Sequence, residues 1–221
     1  MVRRLMDWGL SKLTNLMSDM AELSENCVST AIEAYLSDKN VVTSIFNQSN
    51  ELIMLQEEVS DLAVELLVRY QPVAADLRFI KACMEISYGF ARFGRYAYDI
   101  SQVRDQFGKL SDCDHSMVAN TADEVKRMIR RSLKAFKDRD VKVAEGLRDA
   151  DDMVDSFYQQ NIRRILEGHI EMKCAISAAL ILRYLERIAD HAVYIGDLVK
   201  YIVTGEKYVI KGEKLVPDSK L

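Results

Sequence analysis

Residues 183–204 read RYLERIADHAVYIGDLVKYIVT, and their apolar positions decide the architecture. Leu185, Ile188, Ala192, Ile195, Val199 and Ile202 recur in steps of three and four, the rhythm of one face of an α-helix. A face of that length must be covered by other helices. The segment 40–69 repeats the pattern with Leu52, Leu55, Val59, Leu62 and Leu66. Helical periodicity of varying clarity extends over six stretches, about 7–37, 40–69, 74–107, 114–138, 140–167 and 171–204. Short connections between such helices make neighbours antiparallel, so bundles follow.

Composition agrees. Among 221 residues there are nine Gly and two Pro, while 49% are apolar, enough to bury a real core. Charged residues make up 29%, with 34 acidic against 30 basic. That balance offers no excess of positive charge for a nucleic-acid backbone. The longest largely apolar run, Cys174 to Leu182, is about half of what a bilayer-spanning helix needs. Cys27, Cys83, Cys113 and Cys174 lie far apart without a CxxC pair, so neither a zinc site nor a disulfide is expected, and a reducing cytoplasm fits.

The breaks between helices point to a duplication. Pro72 stops the second helix, because the residue before proline is pushed out of the α region. Gly168 and Gly205 fall where the fifth and sixth helices should end. Asp38-Lys-Asn40 and Asp138-Arg-Asp140 form similar polar corners about a hundred residues apart. A shift of about 95 residues lays Ala91-Arg-Phe-Gly-Arg95-Tyr-Ala on Glu186-Arg-Ile-Ala-Asp190-His-Ala. The expected fold is all-α, two tandem pseudo-repeated three-helix bundles, with the first over 1–110, the second over 111–207 and a frayed tail over 208–221.

In the sixth helix Glu186 and Asp190 stand one turn apart beside the apolar seam. Carboxylates at that spacing repel by a few tenths of a kcal/mol, about 0.2–0.5, unless cations lie between them. Arg183 and Arg187 offer ordinary salt bridges. A bound metal is the alternative, with Asp151, Asp152 and Asp155 of the fifth helix as further oxygen donors. The second helix carries a similar row, Glu57, Asp61 and Glu65, but its third-helix neighbour presents Ala91 and Arg95, so an Arg95 salt bridge is expected to close that half. His191, beside Asp190, reads as a surface or packing residue more readily than a ligand. The Glu-x-x-His pattern of di-iron bundles is missing, as are the glycine loops and nucleophile elbows of common enzymes. A binding protein is expected, with a helical adaptor or a metal-carboxylate enzyme or store as rival readings.

Two further stretches are informative together. Tyr70-Gln-Pro-Val-Ala-Ala-Asp76-Leu-Arg78 resembles the QPVAxDLR junction of PhoU proteins, and Leu185-Glu-Arg-Ile-Ala-Asp190-His-Ala resembles their repeated ERIxDxA signature. Pro72, Asp76, Arg78 and Arg187 are the motif positions. The resemblance covers about residues 10–205. It implies a cytoplasmic homodimer that restrains phosphate uptake, coupling the ATPase subunit of a phosphate ABC transporter to a phosphate-responsive sensor histidine kinase and reaching the membrane only through those partners. It also implies iron or zinc on the Glu/Asp-x-x-x-Asp motif, here Glu186 and Asp190, with Asp151 and Asp155 alongside. Ala91 and Arg95 depart from the motif, so at most one of the two family clusters is expected.

Overall fold

The computed structural model describes residues 2–206, and the expected 208–221 tail lies outside the described residues. Six helices follow in order: α1 Val2–Leu36, α2 Val42–Tyr70, α3 Ala74–Phe107, α4 Ser116–Asp138, α5 Val141–Leu166 and α6 Met172–Thr204. Both apolar seams face inward. Leu52, Val59, Leu62 and Leu66 of α2 are buried, as are all six seam residues of α6, and Leu55 is partly covered. The first helix starts five residues earlier than its periodicity indicates. Leu5 in that opening stretch is exposed, as is Trp8 just after it, so no seam is left there to detect.

The two polar corners close in the same way. Asp38 and Arg139 adopt left-handed backbone (φ 54° and 51°). The next amide then turns back onto the preceding helix, Lys39 N–H to Ala34 O at 2.8 Å and Asp140 N–H to Ala135 O at 3.0 Å. Asn40 Oδ1 and Asp140 Oδ1 accept from the first amides of the following helices. Gln71, also left-handed, ends α2 one residue before Pro72.

Helices α1–α3 form one bundle and α4–α6 the other, and α3 packs along α6 to join them. The joint is antiparallel, from Arg78 Nε donating to Ile202 O at 3.4 Å, through Tyr194 O–H donating to Glu85, to Tyr96 stacked on Tyr184. Gly89 lets the α3 backbone close on Ile195, where an added Cβ would lie 3.3 Å from its side chain. A second contact pairs α1 with α4 through Glu25–Arg130 at 2.6 Å and Tyr35 edge-on to His115. One continuous core therefore runs through both bundles. No helix among the described residues is long and apolar enough to cross a membrane.

The linker between the bundles, residues 108–115, corrects the cysteine expectation. Cys113 and Cys174 are joined by a disulfide, with Cα atoms 5.5 Å apart across 61 residues of sequence. Leu110 plugs into the core and swings the linker against the first turn of α6. Sequence spacing reports only local pairs, and this one is made by the fold. Cys27 and Cys83 remain free and fully buried.

Candidate functional site

Helices α5 and α6 run antiparallel, fixed by Arg148–Asp197 at 2.6 Å and Lys200–Glu145 at 3.3 Å, with Gly196 lying against the α5 backbone at Ala144. Continuing that register brings Asp151 and Asp155 alongside Asp190 and Glu186. The four expected acids thus share one face. Asp151 is half-buried, and its Oδ1 is shut off from solvent without a hydrogen-bond partner.

Burial and then charge repulsion raise the proton affinity of this face. Burial, reinforced by Asp155, Asp190, Asp152 and Glu186, pushes the Asp151 carboxyl up to about 7. Burial and Asp190 raise Glu186 too, although Arg183 reaches across one turn at 2.5 Å to oppose the rise. Asp190 sits at the exposed rim, where shielding by neighbouring groups lifts its carboxyl and Arg187 pulls it back. Of the two compensations anticipated from sequence, the arginine pairing is present in part. Arginines hold the rim, and Asp151 is left to bind a proton.

The donor set suits a hard or borderline cation, since it consists of carboxylate oxygens and includes one buried oxygen with an open lone pair. The arrangement is not a closed cage: among the described residues, no three His, Cys, Asp or Glu side chains gather tightly enough to hold a metal ion.

The motif positions have structural work. Asp76 lies in the first turn of α3, where a carboxylate opposes the positive end of the helix dipole. Arg78 ties that same turn to the last turn of α6. Arg187 faces solvent beside Asp190.

The first half differs from expectation. Arg95 does not close the Glu57–Asp61–Glu65 row: it pairs with Asp99 on its own helix at 3.4 Å and lies over the Tyr98 ring, while Glu65 pairs with Arg69 at 3.1 Å. Asp99, four residues beyond Arg95, is the residue that sequence reading passed over. Its half-buried carboxyl is raised by burial and eased by Arg95 and Arg92. An i,i+4 partner competes at no cost in loop closure, which is why it wins.

His191 packs in the α3–α6 joint, near Tyr88 and Tyr96 with ring centroids 6.1 and 5.9 Å away. Burial, with Arg92 and Arg187 nearby, holds it neutral down to about pH 4.

The comparisons with known proteins agree with this duplicated architecture. A family model described as "PhoU domain" matches residues 17–103 and again 118–199. The "Phosphate-specific transport system accessory protein PhoU homolog 1" of Methanothermobacter thermautotrophicus is 29% identical over 208 residues, covering 87% of this chain and 93% of that protein. The PhoU homolog of Zymomonas mobilis is 30% identical over 205 residues, covering 90% and 86%. The crystal structure of PhoU from Pseudomonas aeruginosa superposes with a TM-score of 0.83 at 24% identity, covering 90% of this chain and 99% of that one. The PhoU structure from Streptococcus pneumoniae gives 0.85 at 20%, covering 93% and 100%. With two domain matches that together span most of its length, one in each bundle, this chain belongs to the PhoU family.

Proposed function

We propose that this chain regulates phosphate uptake and phosphate-responsive signalling by binding other proteins, foremost the ATPase subunit of a phosphate ABC transporter and a sensor histidine kinase, as a homodimer in the cytoplasm. The observation that carries the reading is the double family match over both bundles. It is supported by relatives of similar length that are named accessory proteins of a phosphate-specific transport system. A rigid pair of bundles joined along α3 and α6 suits a protein that works by presenting a fixed surface.

The acidic face of α5 and α6 is where such binding can respond to conditions. Asp151, Asp155, Glu186 and Asp190 would have to draw closer than they stand here to hold iron or zinc, a reading supported by the orphaned Asp151 oxygen and the all-carboxylate donor set. A cation bound there neutralises the repulsion and cross-links the two helices. Without it, Asp151 meets the same repulsion with a proton. The ligand state of this face then biases which partner complex forms.

A tagged copy retrieved from phosphate-replete cells should bring the transporter ATPase or the kinase with it, and less of either from starved cells. Retrieval of neither partner under both conditions ends the regulatory reading.

A further inference from the structure

The cavity beside the inter-bundle linker, about 460 Å³, is lined by both residues of the disulfide together with Arg164, His169, Glu167 and Glu171. Cys113 is half-buried and Cys174 is 8% exposed, whereas Cys27 and Cys83 are fully enclosed. The one oxidised pair is thus also the pair that borders open space. It fastens the only covalent connection between the bundles to the start of α6.

We propose that Cys113–Cys174 is a thiol–disulfide exchange site, open through this cavity to an external dithiol, and that its state sets how firmly the linker is held to α6. The direction of attack follows from position. Cys174 lies in the first turn of α6, where free amide groups favour a leaving thiolate while the Glu171 carboxylate, 3.8 Å from Cys174 Sγ, opposes it, so accessibility decides the direction. Cys113 is the more exposed residue of the pair. A thiolate of the reductant attacks Cys113 Sγ, the Cys113–Cys174 bond breaks, and its electron pair leaves on Cys174, which takes up a proton. The second thiolate of the reductant then displaces Cys113 as the other thiol. Two electrons pass to the protein and the dithiol departs as its own disulfide.

Charge selects the reductant. Asp112, Asp114, Glu167 and Glu171 outnumber the cationic Arg164 around the cavity, which disfavours anionic thiols such as glutathione relative to an uncharged dithiol. What remains after opening is also defined. Leu110 stays in the core, and Asp114 still accepts from the Ser116 amide, so the linker loosens while α4 keeps its start.

The test is alkylation of the folded full-length chain by iodoacetamide, read by intact mass and peptide mapping, beside amide hydrogen exchange over 108–115. After treatment with hydroxyethyl disulfide, an uncharged linear disulfide oxidant, no cysteine should be labelled. Dithiothreitol without denaturant should then expose two labels, at Cys113 and Cys174, at least tenfold faster than glutathione at equal thiol concentration. Hydrogen exchange in the linker should rise severalfold with it. Burial raises the Cys27 thiol to about 12 and raises Cys83 as well, so both serve as internal controls for unfolding. The proposal is overturned if Cys113 and Cys174 label before reductant is added, if all four cysteines label together, if glutathione matches dithiothreitol, or if linker exchange is unchanged. Cys113→Ser should reproduce the faster linker exchange without reductant and leave one label, at Cys174. If that variant does not fold, the arms on the unaltered chain decide.

Discussion

Replacing Asp151 by Asn tests the acidic face directly. In the folded chain the Asp151 carboxyl holds its proton to about pH 7, against 3.8 for an ordinary aspartate. The folded state therefore binds more protons than the unfolded state between those values. Stability contributed by this group falls as pH rises from about 4 to about 7 and stays low above. At 1.36 kcal/mol per pH unit the ceiling is about 4 kcal/mol. The carboxyl is only half-buried, and solvent screening brings the figure to about 2 kcal/mol. Asn keeps the shape without the charge, so Asp151→Asn should stabilise the chain by about that amount at pH 8 and by well under half of it at pH 5. For a protein of this size the gain corresponds to a rise in Tm of about 5 °C at pH 8. Thermal melts of both proteins in chelator at the two pH values provide the measurement. Replacing chelator with zinc or ferrous iron should raise the Tm of the unaltered chain at pH 8 and raise that of the variant less. A variant that is destabilised at pH 8, or equally stabilised at both pH values, would refute the account of an Asp151 carboxyl raised by burial and its acidic neighbours.

His191 should give the opposite slope. Because the folded chain keeps it neutral to about pH 4 while an ordinary histidine protonates near 6.5, stability falls as pH drops between those values, and His191→Phe should flatten that limb in urea melts at pH 7 and pH 5. Two glycines separate a rigid contact from a yielding one. Gly196→Ala puts a Cβ 3.0 Å from the Ala144 carbonyl oxygen and should cost about 1–3 kcal/mol, whereas Gly146→Ala meets the flexible end of Arg131 at 2.5 Å, which donates to the Gly146 carbonyl, so the helix-propensity gain is offset by moving that arginine and the net change should stay within about 1 kcal/mol, both read by denaturant titration.

The helices, the corners and the duplication were legible because each is written in local chemistry. Seams spaced by three and four, a proline after a helix, and polar corners a hundred residues apart need no knowledge of the fold. The acidic face was legible for the same reason, since Glu186 and Asp190 share one turn and Asp151 and Asp155 share another. What sequence withheld depends on distance closed by folding. Cys113 and Cys174 meet only once Leu110 has carried the linker across the end of α6. Arg95 had two acidic candidates, a row on the neighbouring helix and Asp99 on its own, and the nearer one prevailed. His191 was read as a surface or packing residue and it packs, yet its tyrosine surroundings come from α3, more than ninety residues earlier in the chain.

The α3–α6 joint has a mechanical meaning. Each of these helices is the spine of its own bundle, and the two spines are laid flank to flank along most of their length. A swing of one half against the other would tear open both interiors at once, so the two halves can tilt only as one body.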